Sequence, residues 1–117
     1  MRGWVVDVKV YVVPGVTDLR KAIDGLSVYV EEQLELDPFS GHLFAFCNRR
    51  RDMVKVLYWD RNGFCVWQKR LERERFDWPM TGEACLRVDM RHFEWLLEGF
   101  RICVEEGHGR YRYQSVI

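Results

Sequence analysis

The stretch FCNRRRDMVKVLYWDRNGFCVWQKRLERERFDWP, from Phe46 to Pro79, is the most informative about the fold, because its pattern predicts a β-hairpin. The tetrapeptide DRNG at 60–63 is a turn sequence, since Asn and Gly tolerate the positive φ that tight turns need. The flanking runs, Met53 to Trp59 and Phe64 to Leu71, are rich in aromatic and β-branched residues and are predicted as strands. A shift of one residue in the pairing would exchange the two faces, so the sequence leaves the register open.

Most of the useful positive charge lies in this same stretch. Residues 49–75 contain nine Lys or Arg and four Asp or Glu, a balance of +5, whereas residues 1–48 sum to −3 and residues 76–117 to −2. The net charge of zero therefore hides a dipolar chain. Because Lys and Arg bind phosphate, we expect nucleic-acid contact along this basic ribbon. The candidate residues are Arg49, Arg50, Arg51, Lys55, Arg61, Lys69 and Arg70, with Arg20 and Lys21 extending the patch.

Tryptophan residues lie among these cations. Flat aromatic faces stack on bases or carry guanidinium groups, so the candidate stacking or interaction residues are Trp59, Trp67 and Trp78. Trp is also common in cores and interfaces, and glutamates alternate with arginines at 70–75 as on a solvated surface. Two functions stay open: contact with DNA or RNA, or a protein-interaction module that binds a partner or a second copy through exposed Trp residues and sheet edges.

Five blocks of the chain carry a family resemblance, in order and at matching spacing. They are DLRKAIDGL (18–26), DPFSGHLFAF (37–46), NRRRD (48–52), KVLYWDRNGFCVWQKRLE (55–72) and FDWP (76–79). They resemble the signature blocks of TnpB, the second-reading-frame accessory protein of the bacterial insertion-sequence family numbered sixty-six, which is unrelated to the RNA-guided nucleases of that name. The resemblance implies a non-catalytic accessory role in DNA transposition. Its implied partners are the transposase of the same element and the DNA of the element ends.

The predicted architecture is α+β, with a small antiparallel sheet packed against one long and one shorter helix. The sheet is a meander in which the strand His42 to Cys47 precedes the central hairpin. A further strand is predicted at Lys9 to Val13, and the segment Arg110 to Ile117 is a strand or an ordered arm. Residues 1–117 are expected to form a single domain, since no linker or repeat divides them.

The long helix is predicted from Asp18 to Leu36. Its apolar stripe recurs at three- and four-residue spacing and comprises Leu19, Ile23, Leu26, Val30 and Leu34. Asp18 or Thr17 is the expected N-cap, and Asp37-Pro38 ends the element. The shorter helix is predicted to follow Asp89 as its N-cap, with Gly99 near its end.

The chain contains no pattern typical of an enzyme or of a metal site. The four cysteines, at 47, 65, 85 and 103, form no CxxC pair and are predicted to be buried free thiols. The His and Ser residues form no HxxH or GxSxG motif, and the glycines form no phosphate loop. Asp18 is assigned to a helix cap, Asp37 and Asp60 to turns, and Asp52 to neutralising the three arginines before it. We therefore assign no catalytic residue, no metal and no cofactor.

Length and composition favour a folded chain. With 117 residues and 48% hydrophobic residues, the chain has enough apolar surface to build a core and is not typical of disorder. No apolar run approaches the roughly 20 residues needed to span a bilayer. We expect a cytoplasmic protein that folds alone, with a homo-oligomer as an open alternative.

Overall fold

The computed structural model describes residues 8–105 and 110–114, and the side chains of residues 8–102. Five strands form one sheet in the order β4-β3-β2-β1-β5, and two later strands, β6 and β7, form a separate ribbon. The strands are β1 (Val10–Val12), β2 (Leu43–Cys47), β3 (Met53–Asp60), β4 (Gly63–Arg70), β5 (Leu86–Val88), β6 (Arg101–Glu105) and β7 (Arg110–Gln114). The helices are α1 (Ile23–Glu32), between β1 and β2, and α2 (Met90–Leu97), after β5.

The predicted hairpin is confirmed. Strands β3 and β4 pair in an unbroken antiparallel register from Met53 opposite Arg70 to Asp60 opposite Gly63. This pairing resolves the register that the sequence left open. Arg61 adopts the left-handed conformation at the reversal, with φ +57°. The expectation that Asn and Gly would supply the positive φ is therefore wrong, and the turn holds a residue with a Cβ in a region that favours glycine.

The predicted antiparallel meander is confirmed for β2, β3 and β4, but the sheet as a whole is mixed, because β1 and β2 pair in parallel. Helix α1 connects these two strands, and such a crossover returns the chain in the same direction. Strand β5, which was not predicted, pairs antiparallel with the outer side of β1. All five residues of β2 are buried, as expected for a central strand covered on both faces.

The two helices cover opposite faces of the sheet. Side chains of β2 alternate between the two sides, so that Phe44 and Phe46 pack with α1 whereas Leu43 and Ala45 pack with α2. The α2 side also contains Phe76 and Trp78. The core is therefore two apolar layers separated by one sheet.

The long helix is shorter than predicted at both ends and spans ten residues, against eight for α2. The predicted cap Asp18 accepts a hydrogen bond from the backbone N–H of Arg20 before the helix begins, and the N-cap is Ala22, whose side chain cannot form a cap bond. At the other end, Glu35 takes a left-handed φ of +55° and stops the helix. The predicted stripe is buried except for Ile23, which is 36% exposed at the new first turn.

The start and end of α2 follow the prediction. Asp89 caps the helix by accepting a hydrogen bond of 2.7 Å from the backbone N–H of His92. Gly99 has φ +100° just past the helix, where its N–H donates to the carbonyl of Leu96 while that of Phe100 donates to Trp95. This is the Schellman arrangement, in which a glycine supplies the left-handed residue.

Three of the four cysteines lie within the described side chains, and all three are free thiols. Cys47 is buried, and burial raises the pKa of its thiol to about 12, so it stays protonated at neutral pH. Cys65 and Cys85 are only half-buried, so the prediction of buried thiols is wrong for these two. Among the described residues, no helix combines the length and the hydrophobicity needed to cross a membrane.

Candidate nucleic-acid interface

Three chain segments meet at one edge of the sheet, where the parallel strands β1 and β2 both end. The backbone N–H of Thr17 donates to the carbonyl of Cys47 at 2.9 Å, which joins the loop after β1 to the loop after β2. The N–H of Phe76 donates to the carbonyl of Arg51 at 2.7 Å, and that of Gly15 to Pro79 at 2.9 Å. We call these three segments, residues 15–20, 48–52 and 71–79, the basic edge. Carboxyl ends of parallel strands are a common place for ligand sites.

The arginine-bearing loop between β2 and β3 is held by one side chain. The Asn48 carbonyl oxygen accepts from the backbone N–H groups of Asp52 (3.1 Å) and Met53 (3.2 Å), and its amide donates to the Asp52 carboxylate at 2.7 Å. Arg51 lies in the left-handed region, with φ +59°. The backbone that carries the three arginines is therefore fixed by hydrogen bonds.

The three consecutive arginines do not point to one place. Arg49 and Arg50 line an open pocket of about 610 Å³ together with Arg20. Arg51 lines a second pocket with Arg101, whose Nε donates to the carboxylate of Asp77 at 2.8 Å. The predicted basic run is thus divided between two surfaces.

We call the first of these the arginine pocket. Its walls combine the three arginines with three apolar and three polar residues. The apolar residues are Val16, Leu19 and Met53, and the polar ones are Thr17, Asp18 and Asn48. Within the described residues, no ion pair within 4.0 Å involves Arg49 or Arg50.

Arg20 differs from these two because it is already paired. Its Nη2 lies 2.8 Å from Asp18 Oδ2 and its Nε lies 3.0 Å from Oδ1. The hydrogen bonds from Arg20 lower the pKa of the Asp18 carboxyl to about 2, so the pair is charged at neutral pH. The Arg20 side chain is 90% exposed, and such an exposed pair contributes little to stability.

A second carboxylate offsets part of the positive charge. The hydrogen bond from the Asn48 amide, with the nearby charges of Arg50 and Arg75, lowers the pKa of Asp52. Asp52 therefore carries a full negative charge at neutral pH beside the arginine loop. This agrees with the prediction that Asp52 neutralises the arginines before it. Within the part of the chain that the structure describes, no group of His, Cys, Asp or Glu could hold a metal ion.

Both candidate lysines of the hairpin donate to backbone carbonyls inside the fold. The Lys55 ammonium lies 2.8 Å from the carbonyl oxygen of Leu19 and is half-buried. The Lys69 ammonium lies 3.1 Å from the carbonyl oxygen of Leu97, in the last turn of α2. A cation near a helix C-terminus also complements the helix dipole. These two lysines join the sheet to its covering segments.

The remaining candidate cations lie apart from the arginine pocket. The Nε of Arg70 lies 3.0 Å from Glu72 in an exposed pair. The Lys21 ammonium lies 5.7 Å from the ring centroid of Tyr29 on α1. Arg61 is exposed at the hairpin tip, eight residues along the chain from Met53, or about 27 Å at roughly 3.4 Å per residue.

The three candidate tryptophans have three different environments. Trp78 is 2% exposed and its Nε1 donates to the carbonyl of Val13 at 2.8 Å, so it is a core residue and leaves the set of surface candidates. Trp67 is half-buried against the α2 side of the core. Trp59 lies at the hairpin tip with its ring centroid 5.0 Å from those of Phe39 and Phe64.

Sequence reasoning missed the residues that turn the basic edge into a pocket. Val16 and Met53 belong to segments 37 positions apart, and only the parallel pairing of β1 and β2 brings them together. Val16 is 46% exposed although it is apolar. No local pattern marks such a residue as part of a site.

The comparisons with known proteins give the context of this surface. Residues 8–106 match the model of the family described as IS66 Orf2 like protein. The chain belongs to this family. The resemblance noted in the sequence is thereby confirmed, and the family's association with transposition applies to this chain at that general level.

Two curated relatives from Sinorhizobium fredii are similar over most of their length. "Uncharacterized protein y4hO" is 36% identical over 93 residues, which cover 80% of this chain and 81% of the relative. "Uncharacterized protein y4jC" is 32% identical over 82 residues, 70% of each chain. No solved structure shows a significant match.

Proposed function

We propose that this IS66 Orf2-like protein is a non-catalytic accessory factor that contacts the DNA phosphate backbone at the ends of its insertion sequence. The family supports the accessory role in transposition. The observation that carries the DNA contact is the placement of Arg49 and Arg50, both exposed, on a loop fixed by hydrogen bonds. A fixed backbone lowers the entropy lost when the side chains bind phosphate. Such a protein acts in the cytoplasm, where the element and its transposase are.

The proposed contact surface is narrower than the basic ribbon read from the sequence. The ammonium groups of Lys55 and Lys69 already donate hydrogen bonds to backbone carbonyls, so a contact with DNA would break these hydrogen bonds within the fold. Arg61 lies at the opposite end of the hairpin. Arg49 and Arg50 are therefore the primary residues, whereas Arg20 is paired with Asp18. Arg51, Arg70 and Lys21 do not line the arginine pocket, and Arg51 lines the second pocket instead.

The test is binding of the purified protein to a labelled duplex carrying the element's terminal inverted repeat, across a salt series. For the double variant Arg49→Ala/Arg50→Ala we expect weaker binding and a log–log salt slope smaller by about 0.9 for each phosphate contact removed. Arg87→Ala is the matched control, because Arg87 is an exposed arginine on β5 that does not line the pocket. An unchanged slope in the double variant would remove both arginines from the interface.

A second candidate function, a protein-interaction module, is supported by a separate observation. The rings of Phe39, Trp59 and Phe64 cluster at the hairpin tip with centroids 5.0 to 5.1 Å apart, and Phe39 is 53% exposed. Exposed aromatic clusters are typical anchors of protein interfaces. The cluster lies at the end of the sheet away from the basic edge, so the two functions are compatible in one molecule that bridges the element's transposase and DNA.

The adaptor role is tested with Phe39→Ser and the transposase of the same element. We expect this change to weaken the complex while DNA binding stays unchanged. Val28→Ser is the matched control, because Val28 is 51% exposed on α1 and has no part in the aromatic cluster. Sedimentation of each variant alone shows whether the same cluster joins two copies of the chain. Equal transposase binding and equal sedimentation for all three proteins would rule out the cluster as an interface.

A further inference from the structure

We infer that the arginine pocket receives an unpaired DNA base, so that the protein prefers a single-stranded or frayed end to an intact duplex. This inference rests on the proposed contact with DNA and specifies the form of DNA bound. The ligand class is a nucleotide whose phosphates meet Arg49 and Arg50 and whose base enters between the apolar walls. The volume of about 610 Å³ lies within the range of ligand pockets, about 300–1,000 Å³.

The apolar walls are the first argument. A surface that contacts only phosphate needs cations and N–H donors and gains nothing from aliphatic side chains. Here Val16, 46% exposed, and Met53, half-buried, face the same pocket as the arginines. Leu19 continues this wall into the α1 side of the core. Unstacked bases are held by apolar or aromatic side chains, and the planar guanidinium of Arg also stacks on them.

The second argument is that polar side chains of the pocket already make hydrogen bonds within the protein, which determines how a base could be recognised. The carbonyl oxygen of Asn48 already accepts two backbone N–H groups, and its amide donates to Asp52. Both Asp18 oxygens accept from Arg20. These two side chains are therefore engaged within the protein. A base would enter through shape and apolar contact, with little preference among the four bases.

The position of the charges is the third argument. Arg49 and Arg50 lie one after the other on the β2–β3 loop, beside the apolar wall and exposed to solvent. Successive cations along the backbone next to a site for the base are the arrangement used by proteins that bind single strands. An intact duplex keeps its bases stacked inside, so it could reach the arginines but would leave the apolar wall empty.

The experiment compares three labelled DNA probes with the full-length protein at one salt concentration. The first is a blunt duplex, the second is the same duplex with a single-stranded tail, and the third carries an abasic tail of equal length. We expect the tailed duplex to bind about fivefold or more tightly than the blunt one, the size of effect typical of one stacked base. The abasic tail, which has the phosphates without the bases, should lose most of that gain.

A pair of matched variants then assigns the effect to the pocket. Val16→Ser removes an apolar wall and should abolish the preference for the tail, so that this variant binds tailed and blunt duplexes equally. Val28→Ser is the control, because Val28 is similarly exposed at 51%, against 46% for Val16, and lies on α1 outside the pocket. Both positions are at the surface, and the thermal unfolding of each variant is measured as a control that the fold is intact.

The outcomes separate this inference from the function on which it rests. If none of the three probes binds even at low salt, the proposed DNA contact is wrong. If blunt and tailed duplexes bind equally, or if the abasic tail binds as tightly as the normal one, phosphate contact stands and the base pocket is excluded. A tail preference that survives Val16→Ser also contradicts the inference, since the base would then lie elsewhere.

Discussion

The hairpin tip and the basic edge both place an arginine in the left-handed region at a turn, yet they are built in different ways. At the tip, Arg61 reverses a hairpin whose strands are neighbours in sequence. At the basic edge, Arg51 lies in a loop held by Asn48 and bonded to segments far away in the chain. The comparison shows that local sequence suffices to make a turn, whereas a pocket needs segments that only the tertiary fold joins.

The largest expected effect comes from the tryptophan that supports the basic edge. Trp78→Ala should lower the free energy of unfolding by about 3–5 kcal/mol, because it removes a buried indole and leaves the Val13 carbonyl without its donor. Urea denaturation followed by circular dichroism measures the change. At the hairpin tip, Trp59→Ala should cost clearly less, since Trp59 is only half-buried. Equal losses would contradict the difference between the two regions.

A pair of asparagines gives the next largest contrast. Asn48→Ala should destabilise the fold by about 1–3 kcal/mol, because two backbone N–H groups lose their acceptor, and it should also weaken DNA binding by loosening the arginine loop. Asn62→Ala, at the exposed tip, should stay within about 0.5 kcal/mol of the wild type. Chemical denaturation and duplex binding are measured for both. A neutral Asn48→Ala would mean that the loop does not depend on this side chain.

Replacing the left-handed arginine at the tip is expected to raise the free energy of unfolding, whereas the changes above lower it. Arg61→Gly should stabilise the hairpin by up to about 1 kcal/mol, because glycine adopts positive φ without a Cβ clash. The effect of this change on DNA affinity shows whether the whole basic ribbon contacts DNA or only the narrower surface around Arg49 and Arg50. We expect unchanged affinity and an unchanged salt slope. A slope reduced by about one unit would return Arg61 to the interface.

The smallest effect on stability concerns the ion pair in the arginine pocket. The lowered pKa of Asp18 means that its contribution to stability is present above the ordinary value of 3.8 and is lost as the pH falls to about 2. The difference in melting temperature between wild type and Asp18→Asn should therefore disappear over that range. At neutral pH, Asp18→Asn should bind DNA more tightly with a steeper salt slope, because Arg20 becomes available. Weaker binding would show that Asp18 itself takes part in recognition.

Elements with a strong local signal were predictable from the sequence. The hairpin, the N-cap at Asp89 and the glycine after α2 are fixed by contacts within a few residues, so pattern and turn chemistry sufficed. The start of α1 was not predictable from the sequence, because Thr17 and Asp18 make other hydrogen bonds before the helix begins. Strand β5 was missed since its three residues form a strand only beside β1.

For the site, the sequence identified the residue types but not their arrangement. It located Arg49, Arg50 and Arg20 as candidates, since positive charge is visible in composition. The sequence could not show that Lys55 and Lys69 donate hydrogen bonds to backbone carbonyls, because each of these bonds joins positions at least 28 residues apart. It grouped Trp78 with the surface aromatics, although burial depends on the complete fold.

The sequence by itself determined the family, the hairpin, the dipolar charge and the position of the arginine run, all of which depend on neighbouring residues. The tertiary structure decided the parallel pairing of β1 and β2, the division of the three arginines between two pockets, and the wall formed by Val16 and Met53. The physical reason is the range of the interactions. Turns, caps and charge runs are local, whereas a pocket at the ends of two parallel strands exists only after a crossover has brought distant loops together.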